Sequence, residues 1–273
     1  MRMRSRQLQV FFWCWLLVGL SVSCSRFTPP AELPVASSLI LDELVVYSDF
    51  TLPENHRLLG ELEQMRAQLT QTLLLPVSDE PVEVYLFKTP RRYRRFLTRH
   101  YPQFADRRAF FVQTDTRLCV YTYWGDRIAE DLRHEVCHGY LHAVVPQIPL
   151  WLDEGLAEFY ERDRSEEGFH QEYSEFLRTA RDQGDWQPGP ERLAELTQVE
   201  DMTEIDYAEA WLWTHFLLKT TDLRKKILRD YLSAVRQGDS ETLIERLHKF
   251  EPDAERQVLF HLDQMQSADI LAP

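Results

Sequence analysis

Two histidines four residues apart restrict the fold of this chain more than any other part of its sequence. His134 and His138 form an H-E-x-x-H pattern inside a helical repeat that runs from Asp126 to about Val144. On a helix the two imidazoles share one face, one turn apart. That spacing lets two neutral imidazoles hold one Zn²⁺ at about 2.0–2.1 Å. Glu135 lies one step round the helix, where its carboxylate can take a proton from a water on the metal.

A catalytic zinc site needs a third protein ligand. The next predicted helix offers Asp153 and Glu154, and His142 lies one turn beyond His138. A continuous helix would carry His142 away from the metal, by about 12 Å of rise from His134. The residues alone leave three candidates, of which His142 has the least favourable position.

The two helices resemble the zinc helices of the gluzincin (peptidase MA-like) zinc metallopeptidases, the thermolysin and M1 aminopeptidase group. In those proteins a W-L-N-E-G-x-A pattern supplies a glutamate ligand, and Trp151–Ala157 reads W-L-D-E-G-L-A here. The resemblance implies that Glu154 is the third ligand of one Zn²⁺ per chain. It also implies that Glu158, one turn later, is the carboxylate that orients His134 behind the metal.

A peptide-bond hydrolase also needs a donor for the oxyanion that forms during the reaction. The segment Asp206–Leu212 resembles the Y-E-K-G-x-x-L segment of the M1 aminopeptidases, whose tyrosine stabilises the oxyanion. The resemblance implies this role for Tyr207, although Glu-Ala replaces Lys-Gly. A tyrosine that anchors the helix in the core is the alternative interpretation. His170 and His215 are weaker candidates for the donor.

The first residues have the composition of an export signal. Three arginines precede the apolar run Val10–Leu20, which is too short to cross a bilayer. The small residue and cysteine that follow resemble a bacterial lipoprotein box, which implies that Cys24 is lipidated. We therefore expect a signal peptide over residues 1–23 and a tether over 24–38. Localisation would be the bacterial cell envelope, with a lipid anchor in the membrane; ordinary export and an uncleaved anchor are the alternatives.

The rest of the chain is predicted to be an α+β protein. Strand and helix patterns alternate over residues 39–165, and only helical patterns follow over 166–273. Two β-rich runs, Ala109–Gln113 and Leu118–Tyr123, predict an antiparallel hairpin. The order of elements resembles bacterial exported proteins of the DUF1570 type over roughly residues 40–220. This resemblance implies a zincin-like first lobe, in which a small mixed sheet carries the H-E-x-x-H helix, followed by an α-helical lobe.

Charge and cysteine content bear on the partners of the chain. The formal net charge is −13. Such a surface repels phosphate backbones, so no nucleic acid is expected as a partner. Cys119 and Cys137 are the cysteines that follow Cys24. We interpret them as two unrelated buried thiols, with a disulfide or a thiol nucleophile as alternatives.

Three functions are compatible with these patterns. The first is an exported zinc metallopeptidase that acts on a peptide or protein substrate through Glu135. An endopeptidase is favoured because the exopeptidase motif G-x-M-E-N is absent and no clear acidic anchor for a free amine precedes the zinc helix. The second is a catalytically silent binding protein of the cell envelope on a zincin scaffold. The third is a hydrolase of a non-peptide bond.

Overall fold

The computed structural model describes residues 32–270 of the chain. The predicted signal peptide and Cys24 lie outside the described residues. None of the helices within that range combines the length and apolar character needed to cross a membrane.

Five strands and ten α-helices make up the described structure, together with short 3₁₀ turns. The strands are β1 (Ser37–Leu41), β2 (Leu44–Ser48), β3 (Val82–Phe87), β4 (Ala109–Thr114) and β5 (Arg117–Tyr123). The helices are α1 (Arg57–Leu73), α2 (Pro90–His100), α3 (Ile128–His142), α4 (Leu150–Glu161), α5 (Gln171–Gln183), α6 (Pro190–Glu195), α7 (Glu204–Lys219), α8 (Asp222–Val235), α9 (Leu243–His248) and α10 (Ala254–Ile270).

The strands form one mixed sheet in the order β1-β2-β3-β5-β4. β2, β3 and β5 are parallel, and the two outer pairs, β1 with β2 and β4 with β5, are antiparallel. The α+β prediction is therefore confirmed. The predicted hairpin is confirmed as well, with Ala109 opposite Thr122 and Thr114 opposite Arg117. β4 is left as an edge strand whose outer side is not paired with another described strand.

Alternating side chains place a separate core on each face of the sheet. Val84 and Val120 are buried in a cluster with α1, α3 and the later helices. Tyr85 and Tyr121 point the other way, into an aromatic cluster with α2. The two cysteines follow the same division, since Cys137 belongs to the first cluster and Cys119 to the second. Both are free, buried thiols, as expected.

Two features of the structure bear on the predicted parts of the chain. Leu33 and Pro34 are buried, and β1 begins at Ser37, so the end of the predicted tether packs on the domain. The first hydrophobic cluster also continues across residue 165, from β2 to α10. The two predicted lobes therefore share one core within the described residues.

Two helices, α4 and α7, cross closely, and this crossing fixes the position of α4. α4 packs against α7, and a Cβ added to Gly155 would lie 2.4 Å from both the Ala210 carbonyl oxygen and Thr214 Oγ1. The glycine is needed because nothing larger than a hydrogen fits between the two backbones. This crossing fixes where Glu154, the preceding residue, points.

Candidate metal centre

α3 and α4 bring three predicted ligands together. Nε2 of His134 lies 3.5 Å from Glu154 Oε2, and Nε2 of His138 lies 3.7 Å from the same oxygen. The ligand atoms of the three residues all lie within 4.8 Å of one another. Ligands at about 2.0–2.1 Å in a tetrahedral zinc site are separated by about 3.3–3.4 Å. The three side chains could therefore hold one metal ion after a small inward adjustment.

Carboxylates face the other nitrogen of each imidazole. Nδ1 of His134 forms a hydrogen bond with Glu161 Oε2 at 3.1 Å. Nδ1 of His138 is 2.9 Å from Asp153 Oδ2, an ion-pair distance without hydrogen-bond alignment. Contacts of this kind orient imidazoles so that Nε2 faces a metal.

The partner of His134 differs from the one implied by the resemblance. Glu158 was expected behind His134, and the structure places Glu161 there. α3 and α4 run antiparallel, so His138 meets Asp153 at the start of α4 and His134 meets Glu161 at its end. Glu158 instead accepts a hydrogen bond from the Tyr173 hydroxyl at 3.2 Å.

The two rival ligands, Asp153 and His142, are found behind His138. Nε2 of His142 lies 2.9 Å from Asp153 Oδ2, and Nδ1 of His142 lies 2.7 Å from Gln113 Oε1 on β4. These contacts link the position of His138 to the edge strand. Neither rival belongs to the group formed by His134, His138 and Glu154.

The excess of carboxylates dominates the electrostatics of the centre. Burial alone would lower the pKa of His134, but hydrogen bonds to Glu154 and Glu161 outweigh it and hold that pKa well above its usual range. Burial is likewise outweighed at His138, where attraction to Asp153 and Glu154 raises the pKa to about 9. A site that stabilises positive charge on its imidazoles is also suited to a divalent cation.

Glu135 lies beside these ligands and is buried. Burial raises the pKa of its carboxyl, and attraction to His134 and His138 opposes that rise. A carboxylate with a raised pKa accepts a proton more readily, which is the property that a general base needs.

Tyr207 reaches the same region from α7. A capping box begins this helix, in which the Thr203 amide donates to Asp206 Oδ2 at 2.7 Å. Tyr207 therefore falls in the first turn, where it borders a cavity together with His134 and Glu135. Burial raises the pKa of Tyr207 to about 12. The hydroxyl therefore keeps its proton at neutral pH, and its O–H can donate a hydrogen bond to an oxyanion.

Arg107 was not predicted from the sequence. It lies in the loop before β4 and borders the same cavity as Tyr207, and its positive charge opposes the rise in the Tyr207 pKa. Within residues 32–270, no carboxylate lies within 4.0 Å of the Arg107 guanidinium. An arginine in a loop without a motif carries no sequence signal for this role.

The two weaker candidates for the oxyanion donor, His170 and His215, lie in surroundings that differ from those of Tyr207. His170 lies on the cavity wall, stacked on Tyr173 with ring centroids 3.9 Å apart. Nδ1 of His215 lies 2.9 Å from Nε2 of His261. His215 borders neither the cavity beside Tyr207 nor the neighbouring cavity beside His138.

Two cavities meet at the centre. The larger, about 640 Å³, has many charged side chains on its wall; the smaller, about 320 Å³, is lined partly by Phe104, Phe110 and Phe111. Arg107, His134 and Glu135 border both. β4 runs along the pair, with Ala109 at the larger cavity and Gln113 at the smaller one. Together they form a cleft in which an extended chain could cross the centre beside an unpaired strand edge.

Comparison with protein-family models and with curated proteins finds no match to this chain. The resemblance to the gluzincins therefore stays a prediction based on the motifs.

Proposed function

We propose that the protein is a zinc-dependent metallopeptidase in which His134, His138 and Glu154 hold one Zn²⁺. The observation that carries the proposal is the convergence of these ligand atoms within 4.8 Å of one another, next to a cleft bordered by Glu135. The carboxylates of Glu161 and Asp153 behind the imidazoles add support, because metal sites commonly have such partners.

When bound, Zn²⁺ would supply a Lewis acid that polarises the scissile carbonyl and acidifies a water molecule. Glu135 takes the proton of the attacking water and passes it to the leaving amine. The Tyr207 hydroxyl donates a hydrogen bond to the oxyanion, and the positive charge of Arg107 acts in the same direction. The free edge of β4 aligns the substrate backbone by strand pairing.

The proposed substrate is a peptide or protein outside the cytoplasm. The export signal, the lipid anchor at Cys24 and the location in the cell envelope are part of this proposal and depend on the N-terminal sequence alone. Backbone pairing with β4 reads no side chain, so it fits endopeptidase and exopeptidase substrates equally.

The test compares the parent with Glu135→Gln and Glu154→Ala. Metal content is measured by elemental analysis, and cleavage is measured on a mixed peptide library. We expect about one zinc in the parent and a large loss in Glu154→Ala. Glu135→Gln should keep its zinc and lose about 10²–10⁴-fold in kcat. Glu63→Gln, an exposed change on α1, is the matched control for charge loss.

Two results would contradict the proposal. A parent without zinc, even after reconstitution, would leave H-E-x-x-H as a structural helix. A zinc-loaded parent that cleaves no peptide, with Glu135→Gln unchanged in every assay, would favour the silent binding protein.

A further inference from the structure

We propose that Glu158 forms a cation-binding subsite beside the metal centre, which selects substrates with an ammonium or guanidinium group close to the scissile bond. The inference rests on the proposed peptidase function and names the substrate class for it.

Glu158 is a buried carboxylate without a cationic partner. Its relative exposure is 6%, and it lies on the wall of the larger cavity. Oε1 accepts the hydrogen bond from Tyr173, whereas Oε2 accepts none from any residue of the described range. Within the same range, no Lys, Arg or His nitrogen lies within 4.0 Å of either oxygen. Burial and the nearby Glu161 carboxylate raise the pKa of Glu158 to about 8. An unpaired buried carboxylate is costly, and a cation that pairs with it stabilises the ionised form.

The arginines of this cavity do not supply that cation. Three of them are paired with carboxylates other than Glu158: Arg108 with Asp131 at 2.6 Å, Arg127 with Glu130 at 3.0 Å, and Arg162 with Glu166 at 2.8 Å. The fourth, Arg107, lines the cavity together with Tyr207, and no carboxylate of the described residues lies within 4.0 Å of it. Two further acids, Glu172 and Glu204, lie on the same wall as Glu158. Nδ1 of His170, which stacks on Tyr173, lies 3.2 Å from Glu172. No arginine of this cavity is paired with Glu158, so the cavity wall around Tyr173 carries more acidic than basic groups.

His134 attracts Glu158 but forms neither a hydrogen bond nor an ion pair within 4.0 Å with it. Its Nδ1 is bonded to Glu161, and its Nε2 faces Glu154. Glu161 took the position behind His134 that the motif implied for Glu158. This exchange leaves the Glu158 carboxylate free to face the cavity.

The distance to the centre suits a group of the substrate itself. The ligand atoms of His134, Glu158 and Glu161 lie within 4.8 Å of one another. A cation held by Glu158 therefore lies next to His134, whose Nε2 faces Glu154. A free α-amine lies about 2.5 Å from the carbonyl carbon of its own residue, and a lysine or arginine side chain can fold back to a similar position. Both sources present the same chemistry.

Binding is measured by isothermal titration to zinc-loaded Glu135→Gln, which cannot turn the probes over. The probes are alanine hexapeptides that carry one lysine or one norleucine, each with a free or an acetylated N-terminus. We expect the best cationic probe to bind at least 10-fold more tightly than its neutral counterpart. Adding Glu158→Gln should reduce that ratio to near 1, a loss of about 10- to 100-fold in preference. Adding Glu63→Gln should leave the ratio unchanged.

The pattern across the probes identifies the cation. Loss of binding on acetylation assigns the subsite to the α-amine, and loss with norleucine assigns it to the side chain. Equal affinity for all four probes, or a preference that survives Glu158→Gln with zinc content intact, overturns the inference. Cleavage of the peptide library by the parent is scored separately. A parent that cleaves peptides without charge preference refutes the subsite alone, and one that cleaves none refutes the proposed function.

Discussion

Replacing Gly155 by alanine should damage both the stability of the fold and the metal centre. The added Cβ would lie 2.4 Å from the Ala210 carbonyl oxygen and from Thr214 Oγ1, both on α7. Neither atom belongs to a flexible chain end, since one is backbone and Thr214 is fully buried. Ordinary contacts need at least about 3.0–3.4 Å, so α4 and α7 must separate by about 0.6–1 Å.

The expected magnitude combines two opposing effects. Overpacking of this kind costs typically about 1–3 kcal/mol or more. Alanine inside a helix recovers about 0.5–1 kcal/mol relative to glycine. Gly60 isolates the second effect, because it also lies inside a helix and a Cβ there meets nothing within 4 Å. Gly60→Ala should therefore stabilise the protein by about 0.5–1 kcal/mol, and Gly155→Ala should be less stable than Gly60→Ala by about 1–3 kcal/mol or more.

Urea unfolding of the metal-free protein measures the free-energy difference between the two variants. Competition with a chelator then measures zinc affinity. Metal sites tolerate deviations of only about 0.2 Å, so a shift of Glu154 should weaken zinc binding in Gly155→Ala and leave it unchanged in Gly60→Ala. If Gly155→Ala proves as stable as Gly60→Ala, the close crossing of α4 and α7 is wrong, and with it the placement of Glu154.

Two further predictions concern the surroundings of the centre and the helical part of the core. Glu161→Gln should weaken zinc binding by about 10- to 100-fold in the chelator competition, because Glu161 holds His134 in place. The loss should be larger than the loss in Glu158→Gln. A larger loss in Glu158→Gln would instead support the role that the motif implied for Glu158. The contribution of His215 and His261 to stability should fall with acid, because burial lowers the pKa of His215 to about 3 and that of His261 to about 4. The unfolded chain then binds more protons below about pH 6.5, so stability present above that pH is lost as the pH falls, by about 2–4 kcal/mol for the pair at pH 5. Urea unfolding of the parent and of a variant with His215→Gln and His261→Gln, at pH 7.5 and at pH 5, tests this by difference, because the raised pKa of His138 acts in the opposite direction in both proteins. A difference that does not change with pH would show that these imidazoles are not held neutral in the core.

Local patterns were enough to predict several features of this protein from its sequence. The helical spacing of His134 and His138 depends only on the turn of one helix, and the β4–β5 hairpin depends only on neighbouring residues. The alternation of strands and helices likewise indicated the α+β class. Each of these properties follows from interactions between residues close in sequence, which a periodic pattern records.

The tertiary structure decided which carboxylate contacts which imidazole. The motif implied that Glu158 faces His134, and the packing of α3 against α4 places Glu161 there instead. Arg107 borders the same cavity as Tyr207 because a loop brings two distant segments together. The W-L-D-E-G sequence contains the glycine, but the need for it appears only when α7 lies 2.4 Å from where its Cβ would be. Contacts between segments far apart in sequence leave no periodic pattern, so the sequence alone could not predict them.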